Sequence, residues 1–186
     1  MATERHKVFL SFHHRLDEDY KDAFCKLLGT GIVDKSVEDG DIDPGLKVDT
    51  VRSRIRDEFI ADATVTVVLV GRCTWQRKHV DWEIGSSLRD TKRNSRCGLL
   101  GILLPNHPDH GRPKYRNGLI PPRLADNAGR AGSFATIHHW PEPWDGRQVR
   151  GWIHQAFERR WSSNPNNARM QFAKNRSGRC VDGWPD

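Results

Sequence analysis

Seven residues at 64–70, TVTVVLV, are β-branched almost throughout and carry no charge. A strand that alternates apolar with polar residues has one wet face. This one does not alternate, so both of its faces must be covered, as in the centre of a parallel sheet. Parallel neighbours need crossover connections, normally helices, and these provide the cover on each side. The chain is therefore expected to alternate strands with helices on either side of this run.

It does so. KVFLSF (7–12) reads as a first strand, and DEDYKDAFCKLL (17–28) follows with Tyr20, Phe24, Leu27 and Leu28 at helical spacing before Gly29. IVDKSV (32–37) is a weaker second strand. An acidic turn, EDGDIDPG, leads into a helix with Val48, Val51, Ile55 and Phe59 on one face. After the central run, WQRKHVDWEIGSSL (75–88) reads as a helix and CGLLGILLP (97–105) as the fourth strand. The stretch 105–132 is too polar and too broken by prolines for any long element; FATIHHW (134–140) is a short fifth strand, and GRQVRGWIHQAFERRW (146–161) is a closing helix. This pattern predicts an α/β domain over 1–162: an open, five-stranded parallel sheet flanked by helices, flavodoxin-like in order. The tail, 163–186, is poor in aliphatic residues and is expected to be loosely packed, with Phe172 and Trp184 as its candidate anchors.

Composition removes several classes of function. No run approaches the roughly eighteen apolar residues of a membrane span, and the first residues lack a signal-peptide core, so a cytoplasmic protein is expected. Cys25, Cys73, Cys97 and Cys180 show neither a C-x-x-C spacing nor a regular framework, which predicts reduced thiols rather than a zinc ribbon or a disulfide scaffold. The net charge of +6 is uneven. Residues 1–93 hold 16 Lys/Arg against 17 Asp/Glu, and residues 94–186 hold 14 against 7. The arginines are dispersed and no aromatic-basic repeat accompanies them, so a nucleotide-sized anion is a more economical partner than nucleic acid.

No phosphate-binding P-loop, G-x-G-x-x-G or G-x-S-x-G elbow is present. Asp39, Asp41 and Asp43 start like a calcium loop. That reading fails at Pro44 and Thr50, where the loop needs a glycine and a glutamate. The pairs His13-His14 and His138-His139, and His107 with His110, lack the carboxylate or cysteine that would complete a metal site, so no metal is expected.

In an open parallel sheet, ligands bind beyond the carboxyl ends of the strands, where helix N-termini point their positive ends outward. This rule selects Phe12, His13 and His14 from strand one, Asp39, Asp41 and Asp43 from strand two, and Arg72, Thr74 and Trp75 after strand three. Glu83 follows in the next helix, at the border of the Val80, Ile84 and Leu88 stripe, where a carboxylate is partly desolvated. A solvated helix glutamate remains the alternative reading of that position.

Four stretches together, KVFLSFHHRLDEDYKDAF, DKSVEDGDID, IRDEFIADATVTVVLVGRCTWQRKHVDWEIGSSL and GLLGILLP, resemble the TIR-like subunit family of the Thoeris anti-phage defence system. The likeness covers about residues 7–105 and does not extend to the tail. It implies a TIR fold and an activity that consumes NAD as substrate, with no resident cofactor. It also implies a nucleotide product, cyclic or conjugated, that signals to a separate effector protein. The catalytic position of TIR enzymes, a glutamate early in the helix after the third strand, falls on Glu83 in HVDWEIGSSL. Phe12 and Trp75 are then candidates to flank the nicotinamide or the adenine, with His13 in the same pocket; Asp43 and Arg72 are candidates to orient ribose and diphosphate. The implied partners are further copies of the chain, through TIR contacts, and a phage-derived trigger. The competing expectation is a scaffold TIR domain that acts only by association.

Overall fold

A computed structural model describes residues 6–29, 32–33, 47–130 and 132–185. Its sheet has five parallel strands in the order β2-β1-β3-β4-β5. The strands are β1 (Val8–Ser11), β2 (Ile32–Val33), β3 (Val65–Val70), β4 (Gly98–Leu103) and β5 (Ala135–His139). This is the flavodoxin-like order expected from the alternating pattern.

The central run behaves as its composition requires. All six residues of β3 are fully buried, and they divide by parity. Val65, Val67 and Leu69 join Leu10, Leu100 and Ile102 beneath Phe24 of α1 (His14–Leu28) and Val149, Ile153 and Ala156 of α5 (Gly146–Ser162). On the opposite face Val68 and Val70 meet Val80, Ile84 and Leu88, on or just after α3 (Lys78–Ser87), and Leu124 of the short α4 (Pro122–Ala125). Beside them Phe9 packs with Val51, in the middle of α2 (Val48–Arg54), and Ile55, the start of the π-helical turn Ile55–Phe59. A strand that feeds two cores has no position for a polar alternation.

Some boundaries moved. Helix α1 begins at His14 rather than 17, with a kink at Asp17 (φ −125°), and Leu27 is exposed while Phe24 is fully buried. Helix α3 begins at Lys78, because Thr74–Gln76 forms a 3₁₀ turn that carries Trp75 ahead of the helix. Among its described residues, the stretch after β4 holds only the 3₁₀ turn Asn117–Leu119 and α4 as regular elements. Helix α5 is capped by Asp145, whose side chain accepts from the N–H groups of Arg147 (2.9 Å) and Gln148 (3.0 Å). None of the helices among the described residues is long and apolar enough to cross a membrane.

The tail departs from the loose packing expected of it. It has little regular structure, yet it runs along α4 and α3 and supplies partners to polar groups there. Arg123 of α4 and Asp81 of α3 form a buried ion pair at 3.0 Å; the tail completes it through Asn167, which accepts from Arg123 at 2.8 Å, and the Phe172 N–H, which donates to Asp81 at 3.0 Å. Arg169 pairs with Asp126 at 2.6 Å, and the Trp82 indole donates to the Phe172 carbonyl at 2.7 Å. Phe172 and Trp184 are both buried. Side chain to backbone bonds of this kind leave no periodicity in the sequence, so a polar stretch reads as loose when it is not.

The expectation of four reduced thiols also needs correction. Cys73 and Cys180 form a disulfide with a Cα–Cα distance of 4.7 Å, across 107 positions of sequence. No spacing motif marks the pair; the docking of the tail brings the two together. Cys97 remains a thiol, fully buried, and burial pushes its pKa up.

Candidate active site at the carboxyl edge of the sheet

Strand β1 ends at Ser11, and its hydroxyl donates to Oε2 of Glu83 at 2.6 Å. Ser11 is 0% exposed and Glu83 1%. A buried carboxylate is costly unless hydrogen-bonded, and a hydroxyl donating to a charged acceptor makes one of the stronger bonds available. Seventy-two positions apart in sequence, these two residues meet because β1 neighbours β3 and α3 crosses back over the same edge. Glu83 lies deeper than the partial desolvation expected from its place on the helical wheel, and the same helix face buries Ser86 and Ser87.

At the same edge the segments after β3 and β4 converge on Asp17, in the first turn of α1. Its carboxylate accepts from Thr74 Oγ1 at 3.2 Å and from Asn106 Nδ2 at 2.8 Å, and Thr74 Oγ1 also accepts from the Gly71 N–H at 2.9 Å. Burial raises the Asp17 pKa, against the lowering effects of Asn106, Thr74 and the Arg72 charge. Gly71 is required here, because a Cβ at that position would overlap the Asp17 carboxylate. Sequence reasoning missed Ser11, Asp17 and Asn106. Only the polar ending of an otherwise apolar strand, VFLS, pointed to Ser11.

The sequence candidates fall into different surroundings. His13 caps α1 with its carbonyl, which accepts from Leu16 (3.0 Å) and Asp17 (2.9 Å). The residue is 7% exposed, and its ring Nδ1 has no hydrogen-bond partner among the described residues. Burial and the positive Arg77 bring its pKa down to about 4. Phe12 is buried in the core beneath α1 and α5, and its ring stacks on His14 with centroids 4.5 Å apart. Arg72 is exposed at the edge, close enough for its charge to act on Asp17. Trp75 is buried, with its indole N–H donating to the Cys180 carbonyl at 2.9 Å. Asp43, with Asp39 and Asp41, lies outside the described residues. Ser11 and Glu83 are thus brought together, and the Arg72 charge, on the loop after β3, acts on Asp17 at the kink of α1. Trp75 is tied to the tail.

The family model of the Thoeris protein ThsB, TIR-like domain, matches residues 9–109, more than half of the chain. The chain belongs to that family. No curated protein matches it. The matched ThsB region runs from the second residue of β1 to a few residues past β4 and so includes Ser11, Asp17, Glu83 and Asn106, whereas α4, β5, α5 and the tail lie beyond it. The Cys73–Cys180 link therefore joins the matched TIR-like region to a segment outside it. Among the described residues no group of three or more His, Cys, Asp or Glu side chains is placed to hold a metal ion.

Proposed function

We propose that this TIR-like chain cleaves the glycosidic bond of NAD and makes an ADP-ribose-derived signal that activates a separate effector protein in anti-phage defence. The observation that supports this most is the position of Glu83: a buried carboxylate, held by Ser11 at 2.6 Å, at the sheet edge where α/β folds bind ligands.

One acid is enough for this chemistry. Nicotinamide in NAD is already a cationic substituent, so it departs with the C1′–N electron pair as a neutral molecule and needs no proton. The ribose left behind is oxocarbenium-like, and the Glu83 carboxylate would stabilise that charge without the partner acid that most glycosidases require. Water capturing C1′ gives ADP-ribose and releases a proton. A hydroxyl of the same nucleotide would close a ring instead, and another acceptor would give a conjugate.

The neighbours take supporting roles in this reading. His13 is neutral above about pH 4, so it adds no charge repelling the ribosyl cation. Arg72, exposed at the edge, is assigned to the diphosphate and Asp43 to the ribose, whereas Trp75, tied to the tail through the Cys180 carbonyl, is left out of this pocket. Phe12 acts through packing, backing His14. The enzyme works in the cytoplasm, associates with copies of itself through TIR contacts, and responds to a phage-derived trigger.

The test is incubation of purified protein with NAD, alone and with lysate from phage-infected cells, followed by mass spectrometry of the nucleotides. Release of nicotinamide together with an ADP-ribose-derived species is expected in the presence of lysate. NAD left intact in both arms would favour the scaffold reading, for which a buried, hydrogen-bonded Glu83 would be only structural.

A further inference from the structure

Tail residues of the basic half, together with Trp75, form a concavity whose lining does not include Glu83. It measures about 350 Å³ and is lined by Trp75, Lys174, Arg176, Ser177, Trp184 and Pro185, among others. That volume is at the lower end for small-molecule sites. Among the described residues its lining carries two cations and no carboxylate.

Neither cation has an ion pair with a described residue. Lys174 is exposed. Arg176 is half-buried, with its guanidinium 4.5 Å from the Phe172 ring centroid and 6.0 Å from that of Trp184, and its side chain has no hydrogen bond or ion pair to a described residue. Burial and the nearby Arg169 lower its pKa. The acid that opposes them, Asp81, is already engaged by Arg123 at 3.0 Å. A partly desolvated cation that lacks an ion pair favours an anion beside it.

The walls are preformed. The Arg176 N–H donates to the Gln76 carbonyl at 2.8 Å, the Trp184 N–H to Gly118 at 2.9 Å and its indole to Ile120 at 2.6 Å, while Trp75 is bound to Cys180, itself linked to Cys73. Two indoles and a proline offer apolar and aromatic surface, and Lys174 and Arg176 offer charge. Apart from Trp75, every one of these wall residues lies outside the region matched by the family.

We propose that this cavity binds a phosphorylated aromatic small molecule of the nucleoside monophosphate class, with the phosphate between Lys174 and Arg176 and the base against the Trp75, Trp184 and Pro185 wall. The site is separate from Glu83 and does not depend on NAD cleavage. AMP, adenosine and inorganic phosphate are titrated into the full chain at low salt by calorimetry. AMP is expected to bind saturably, adenosine and phosphate each at least about tenfold more weakly. Lys174→Glu and Arg176→Gln should each weaken AMP by at least about fivefold, and Glu83→Gln should leave it unchanged. Because Lys174 is exposed, Lys174→Glu stays interpretable even if Arg176→Gln loosens the tail. Absence of saturable AMP binding, or AMP affinity unaltered in both basic variants, or lost in Glu83→Gln, overturns the proposal. Phosphate binding as tightly as AMP overturns the nucleotide assignment.

Discussion

Ser11 and Glu83 form a buried pair whose two members have different jobs in the proposed chemistry. Glu83 meets the reacting ribose, whereas Ser11 holds it in place, and this division predicts how Ser11→Ala behaves. Losing the 2.6 Å bond leaves a buried carboxylate under-satisfied, a cost of about 1–3 kcal/mol in stability. If Ser11 positions Glu83, NAD turnover should fall in kcat at nearly constant KM; if the bond is only structural, kcat per folded molecule stays at the wild-type level. His13 gives a prediction in pH. Its folded pKa, about 4, lies below the 6.5 of a free imidazole, so between these values the unfolded chain binds a proton that the folded chain does not. The stability it contributes is complete above pH 6.5 and is lost as pH falls toward 4, by at most about 3 kcal/mol at 1.36 kcal/mol per pH unit. His13→Asn should therefore flatten the decline of Tm between pH 6.5 and 4; an unchanged decline would place the titration elsewhere. At this scale the sequence pointed to Glu83 through its border position on a helix. It left Ser11, Asp17 and Asn106 unread, since contacts spanning 72 and 89 positions carry no local signal.

Elements were legible where burial imposes a period. TVTVVLV could only be a doubly covered strand, and GRQVRGWIHQAFERRW forms the expected closing helix, α5. Trp75 was read one turn too far into the helix, because a 3₁₀ turn before α3 has the same composition as its first turn. The tail was misjudged for a different reason. It is held by bonds such as Trp82 to the Phe172 carbonyl and by the Asp81–Arg123 pair, none of which has a hydrophobic period. That pair allows a sharp test of the docking. Asp81 is 2% exposed and Arg123 0%, so Arg123→Met strands a buried carboxylate and should cost about 3–5 kcal/mol, read as a fall in denaturant midpoint. Asp81→Leu combined with Arg123→Met should recover much of that loss. A single variant as stable as wild type would show that the tail does not seal this pair.

At the scale of the whole molecule, a TIR-like region of about a hundred residues carries an extension that folds back onto it and is covalently joined to it through Cys73 and Cys180. The carboxyl edge of the sheet holds Glu83, Asp17 and the exposed Arg72. In the proposed function neighbouring copies complete this edge, so a demonstrated monomer should be nearly silent toward NAD. Size-exclusion chromatography run beside the turnover assay checks this, and strong constitutive turnover by a monomer would refute the need for assembly. The most direct measurement, however, is NAD consumption by Glu83→Gln under conditions in which the wild type is active. The substitution keeps the shape of the side chain, retains an acceptor for Ser11 and removes only the charge. A folded Glu83→Gln protein with the wild-type Tm and NAD turnover reduced by at least about a hundredfold is the predicted result; wild-type turnover by that variant would contradict the account.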